Sequence, residues 1–124
     1  PLCLCHGDFT PWNTFVQGKR LYVFDWEYAR TDWPVGFDLT HFLLSTTSPA
    51  AQLDRLPELI QTLAETQFHG DMSRAARALL LSLACHALFY LGRLEEVNAA
   101  LDNWTDSPGR AALIDRLLSQ TATS

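Results

Sequence analysis

The chain has 124 residues, 48% of them hydrophobic and 19% charged, with a formal net charge of −5. This is the composition of one globular domain rather than of a disordered segment. The acidic balance argues against a nucleic-acid partner, since no basic stretch is present to neutralise phosphates along a strand.

In chain order, residues 2–5 (Leu-Cys-Leu-Cys) form an apolar run that reads as a buried strand with Cys3 and Cys5 on one face. Residues 6–13 hold Gly7, Pro11 and small polar groups, a loop by composition. Residues 14–17 and 21–24 are β-branched and aromatic, so a hairpin with a three-residue turn, Gly18-Lys19-Arg20, is predicted. In that register Gln17 faces Leu21, Thr14 faces Phe24, and Asn13 lies opposite Asp25. Residues 26–37 read as an aromatic-rich loop, and Asp38 as the N-cap of a helix to about residue 44.

Ser48-Pro49 opens a helical pattern that Pro57 should kink, and Asp71 caps a further helix reaching about residue 100, with Gly92 as a possible break. Ser107-Pro108 starts a last amphipathic helix with Ala111, Leu113, Ile114, Leu117 and Leu118 facing inward. The predicted fold is α+β: residues 1–37 carry a short β unit and residues 38–124 a mainly helical subdomain, together one domain.

Cys3, Cys5 and Cys85 are an odd count with no disulfide framework, and Cys-x-Cys followed by one histidine is not a zinc spacing. Buried thiols in a reducing cytoplasm are expected. No signal peptide is visible, and the apolar stretch 78–92 is shorter than a membrane span, so a core helix and no membrane partner are expected.

The chemistry concentrates in His6-Gly7-Asp8-Phe9-Thr10-Pro11-Trp12-Asn13 and Phe24-Asp25-Trp26-Glu27. Phosphoryl transfer asks little covalent work of a protein: a carboxylate to take or orient the proton of the attacking hydroxyl, and oxygen ligands for magnesium. Asp8 is placed as that base, Asn13 as a neutral metal ligand and Asp25 as a charged one. Glu27 could approach a metal or a substrate amine, or be a solvated carboxylate. The aromatics Phe9, Trp12, Trp26, Tyr28 and Trp33 could line a site for a cationic substrate or pack the core. His41, His69 and His86 show no metal-ligand spacing and read as structural or exposed, and Arg74 and Arg77 as a solvated helix face.

His6-x-Asp8-x-x-x-x-Asn13, a hairpin and then Asp25 resemble the catalytic loop and metal-binding segment of the protein-kinase-like fold. The His6-Gly7-Asp8 version is similar to the aminoglycoside phosphotransferase family. The stretch from Asp25 through Gly36-Phe37-Asp38-Leu39 and His41-Phe42 looks like the choline/ethanolamine kinase branch. The resemblance implies Asp8 as catalytic base, Asn13 and Asp25 as Mg2+ ligands, His6 as a structural residue of the loop, and Asp38 as the brace beneath it. It also implies ATP as phosphate donor and a small-molecule hydroxyl as acceptor, such as an amino sugar or a choline-like alcohol.

The nucleotide-covering lobe of such enzymes carries a strand lysine and a phosphate loop. Only five residues precede His6, and the single lysine, Lys19, lies in the hairpin turn. The chain therefore resembles a C-terminal catalytic lobe, a partner to a missing N-terminal lobe and inactive alone. The alternative is a non-catalytic remnant that binds a metal, a ligand or another chain. A metal-dependent hydrolase using His6, Asp8 and Asp25 lacks a further ligand at a defined spacing.

Overall fold

A computed structural model describes residues 2–96 and 107–122. Four strands, β1 (Leu2–Cys5), β2 (Thr14–Gln17), β3 (Arg20–Val23) and β4 (Arg30–Pro34), precede four helices, α1 (Phe37–Ser45), α2 (Leu56–Gln67), α3 (Met72–Glu96) and α4 (Ser107–Ala122). The architecture is α+β, as the residue pattern predicts.

The strands form two antiparallel pairs, β1 with β4 and β2 with β3. Alternation along β1 puts Cys3 and Cys5 on one face, their sulfurs 3.4 Å apart, and leaves Leu2 and Leu4 exposed. The strand is thus buried on one face only, not throughout. Its partner β4 lies within the stretch expected to be loop. Arg30, Asp32 and Pro34 disguise it in the sequence, yet Trp33 pairs with Cys3 and Pro34 with Leu2. Arg30 and Asp32 satisfy each other on the exposed side through two 2.8 Å hydrogen bonds. Cys5, Trp33 and Phe37 form a small core, with the Trp33 ring stacked on Phe37 at 4.2 Å.

The hairpin turn is one residue shorter than predicted. Gln17 pairs with Arg20 and Thr14 with Val23, so only Gly18 and Lys19 turn the chain. Gly18 sits at φ 62°, the positive value that the first residue of a II′ hairpin turn requires. Every pairing shifts by one, and the backbone partner of Asn13 is Phe24, whose N–H donates to Asn13 O at 3.0 Å.

The larger core joins α1 to α4 through fully buried Leu44, Leu59, Leu63, Leu79, Leu113 and Leu117. Burying each such side chain stabilises the fold by about 1.5–3 kcal/mol. Gly36, not Asp38, occupies the N-cap of α1, and Asp38 falls in the first turn. Pro57 does not kink a long helix; it lies in the first turn of α2, where a missing N–H costs nothing, and Ser48-Pro49 opens only a single 3-10 turn. Asp71 caps α3 as predicted, its Oδ1 accepting from Arg74 N at 3.0 Å.

Helix α3 runs unbroken through Gly92, and its expected extension to about residue 100 falls outside the described residues. At 25 residues it is longer than the apolar stretch suggests, and by length and composition it could cross a membrane. Here it packs by one face, with Ala75, Leu79 and Leu83 in the core and Leu81, Leu88 and Leu91 exposed. In α4, Leu113 and Leu117 are buried as expected, whereas Ala111 and Leu118 face solvent.

Candidate functional site

The site is the loop between β1 and β2. Cys5 anchors its start in the small core, and a 3-10 turn at Pro11–Asn13 delivers Asn13 to the head of β2. Gly7 is at φ 91°, and a Cβ there would lie 2.5 Å from Tyr28 O, so only glycine fits. The buried His6 ring ties the loop to the hairpin: its Nε2–H donates to Phe24 O at 2.8 Å, and its Nδ1 accepts from Asp8 N at 3.1 Å. These two bonds select the Nε2–H tautomer and leave His6 no free nitrogen for proton transfer.

Asp38 holds the loop from α1. Its Oδ2 accepts from His6 N at 2.8 Å and its Oδ1 from Gly7 N at 3.1 Å. The carboxylate is spent on this loop rather than on its own helix end.

Asp8 is about one-third exposed, at 38% of its side chain. Asn13 Nδ2 donates to Asp8 Oδ2 at 3.1 Å and to Asp8 O at 2.9 Å. His41 Nε2 lies 3.0 Å from Asp8 Oδ1. The His41 hydrogen bond, with the His41 ring and the Asn13 amide adding to it, holds the Asp8 carboxyl below the usual carboxylate range against the opposing effect of burial. Asp8 is therefore an ionised acceptor at neutral pH.

The contact to His41 is absent from the sequence reading, which took that histidine as structural or exposed. The available signal is spacing: His41 follows Asp38 by three residues, so a helix that turns one toward the loop turns the other too. His86, also read as structural or exposed, is buried with its ring 4.8 Å from that of His41. His69 is exposed at φ 52°.

Asp25 stands one residue past the backbone partner of Asn13, and no hydrogen bond or ion pair joins it to Asn13 or Asp8. The expected opposition of Asn13 and Asp25 is thus replaced by a one-residue offset. Asp25 is exposed and adopts φ 66°, a left-handed conformation that ends the strand alternation. Such backbone strain is tolerated by Asp and collects at functional positions.

Magnesium takes hard oxygen donors. The Asn13 amide nitrogen is engaged on Asp8, which leaves its carbonyl oxygen for coordination, and the Asp25 carboxylate is exposed. Both are oxygen donors of the kind magnesium takes, and further ligands to such an ion would come from phosphates and water. Among the described residues no group of three or more His, Cys, Asp or Glu is arranged to hold a metal alone.

Glu27 is exposed beside Tyr28, whose phenol is pushed up by desolvation, with Arg93 opposing and Glu27 adding to the shift. Trp12 and Trp26 are exposed, whereas Trp33 is buried, so the aromatics divide between surface and core. Trp26 also packs edge-on against His6 at 4.6 Å.

No curated protein and no solved structure matches the chain. A family model does: that of the phosphotransferase enzyme family (APH), over residues 1–79. The match takes in all four strands, the loop from His6 to Asn13, helices α1 and α2, and the start of α3. Covering more than half the sequence, it shows that the chain belongs to the phosphotransferase enzyme family.

Proposed function

We propose that the chain carries the catalytic loop of an ATP-dependent phosphotransferase that phosphorylates a hydroxyl of a small molecule, with Asp8 as the base. The observation that carries this reading is the Asp8 carboxylate, ionised, part-exposed and held at both oxygens, on the β1–β2 loop of a phosphotransferase-family chain.

In the step itself, the acceptor hydroxyl gives its proton to Asp8 as its oxygen bonds to the γ-phosphorus. The bond from phosphorus to the bridging oxygen breaks, and its electron pair leaves with the nucleoside diphosphate. Asn13 and His41 hold the base, and His6 and Asp38 hold the loop. Magnesium, when bound by the Asn13 carbonyl and Asp25, would neutralise charge on the phosphates.

Exposed Trp12, Trp26 and Glu27 suit an acceptor that carries an amine, such as an amino sugar or a choline-like alcohol. Asp32 contributes nothing to that preference, because Arg30 occupies it. The nucleotide is covered by a further lobe. Two features support this: the lone lysine is in an exposed hairpin turn, and Leu2, Leu4, Phe15, Val16 and Leu21 present apolar surface on the strands.

Incubation of the protein at its full coding length with γ-labelled ATP, Mg2+ and a panel of amine-bearing alcohols is expected to label an acceptor. Label confined to ATP and free phosphate contradicts phosphotransfer to a hydroxyl. The 124-residue chain alone is expected to show little transfer; robust turnover by it would refute the need for a covering lobe.

A further inference from the structure

We propose that His41 is a positioning residue of this reaction: its Nε2–H fixes one oxygen of Asp8 and thereby aims the carboxylate at the acceptor hydroxyl. The inference rests on the phosphotransfer reading above. Helix α1 makes it possible by presenting two side chains one turn apart to the same loop. Asp38 grips the loop backbone at His6 N and Gly7 N, and His41 reaches the reactive side chain at 3.0 Å.

The imidazole is itself held. Its ring stacks with Phe37, nearly parallel at 13° and 6.2 Å, and lies 4.8 Å from the ring of His86 on α3. Its side chain is only 13% exposed. Its Nδ1 is buried and meets no hydrogen-bond partner among the described residues, so a proton placed there would have no acceptor among them. The tautomer that satisfies the ring carries its proton on Nε2, facing Asp8.

This arrangement divides the work of the carboxylate. Oδ1 accepts from His41, and Oδ2 accepts from Asn13 Nδ2 while retaining a lone pair. Oδ1 likewise keeps a second lone pair, so the carboxylate takes the hydroxyl proton on a free lone pair while the His41 proton stays where it is. With one oxygen held by a helix and the other by the loop, rotation of the carboxylate away from the acceptor is opposed from both sides. Preorganisation of this kind raises the rate of the chemical step rather than the affinity for substrates.

The test compares His41→Met with His41→Gln in the protein at its full coding length. The two replacements are close in volume and differ in a side-chain N–H donor. Loss of a hydrogen bond to a charged group should lower kcat of the methionine variant roughly ten- to hundredfold. KM for nucleotide and acceptor should stay within about twofold, and glutamine should restore most of the rate. In the proton NMR spectrum of the unmodified protein, the His41 ring N–H should give a resolved, slowly exchanging resonance that Asp8→Ala removes.

Equal kcat in the methionine variant and the unmodified protein would overturn the proposal. So would a glutamine variant no faster than methionine, or a ring resonance that is absent or indifferent to Asp8→Ala. If the methionine variant does not fold, glutamine activity and the ring resonance decide. Turnover abolished by Asp8→Asn yet unaffected at His41 refutes this role alone; turnover that survives Asp8→Asn refutes the phosphotransfer base itself.

Discussion

Asp38 carries two expectations from sequence, a helix N-cap and a brace beneath the loop, and the structure separates them. An aspartate opening a helix reads as an N-cap, but Gly36 takes that position and the carboxylate instead binds two loop N–H groups. Asp38→Ala should therefore destabilise the fold by roughly 3 kcal/mol, since two charge-assisted bonds are lost and two loop donors are left unsatisfied. Urea denaturation checks this, and a loss below about 1 kcal/mol, the worth of an ordinary cap, would count against it. Gly7 is a second sharp case. Its φ of 91° and the Tyr28 carbonyl leave no room for a Cβ, so Gly7→Ala should cost about 2 kcal/mol or more and distort the Asp8 loop. An alanine variant as stable as the unmodified chain would show that the loop has another conformation available. Asp8, Asn13 and Asp25 stand out in sequence because their types and spacing are unusual together; the structure joins Asn13 to Asp8 and leaves Asp25 one residue out of register. His41 does not stand out, because a single histidine on a helix carries no sign of what faces it until the helix is docked.

At the scale of elements, strongly periodic segments were readable and short ones were not. Helices α2 and α4 emerge from apolar spacing and α3 from its Asp71 cap and apolar stretch, but the start of α2 depends on local chemistry. Pro57 begins α2 because a first-turn proline forfeits no intrahelical bond. β4 escaped because two of its five residues are charged and a third is proline, leaving Thr31 and Trp33 to suggest a strand. The hairpin was found but misregistered by one residue, as the turn is set by the backbone of Gly18 and not by the apolar pattern around it. The Asp71 cap offers an elementary check on α3: Asp71→Ala should lower stability by about 1 kcal/mol, and Asp71→Ser should recover most of it. A serine variant no more stable than alanine would mean that the cap bond is not what stabilises the helix start.

The molecule as a whole couples its helical core to the site through buried histidine. Burial first, then Arg110 and His41, lower the His86 pKa from 6.5 to about 3. Between those values the unfolded chain binds a proton that the folded chain refuses, so stability rises with pH across this window and is lost as pH falls through it. The loss approaches roughly 4 kcal/mol near the lower end. Denaturation midpoints followed from pH 7 downward should show this slope, and His86→Leu should flatten it; an unchanged slope in that variant would assign acid sensitivity to other groups. Asp8, held below 3.8, adds a loss of the same sign at lower pH still.

The α+β architecture and the phosphotransferase family follow from the loop and hairpin, while the acceptor depends on surfaces that the described residues leave open to solvent. The most direct measurement compares Asp8→Asn with the unmodified protein at full coding length, recording both kcat for phosphate transfer and nucleotide affinity. Asparagine keeps the shape of Asp8 and removes its basicity, so kcat should fall by about a thousandfold or more while the nucleotide dissociation constant changes little. A variant that retains its turnover would contradict the role of Asp8 as the base.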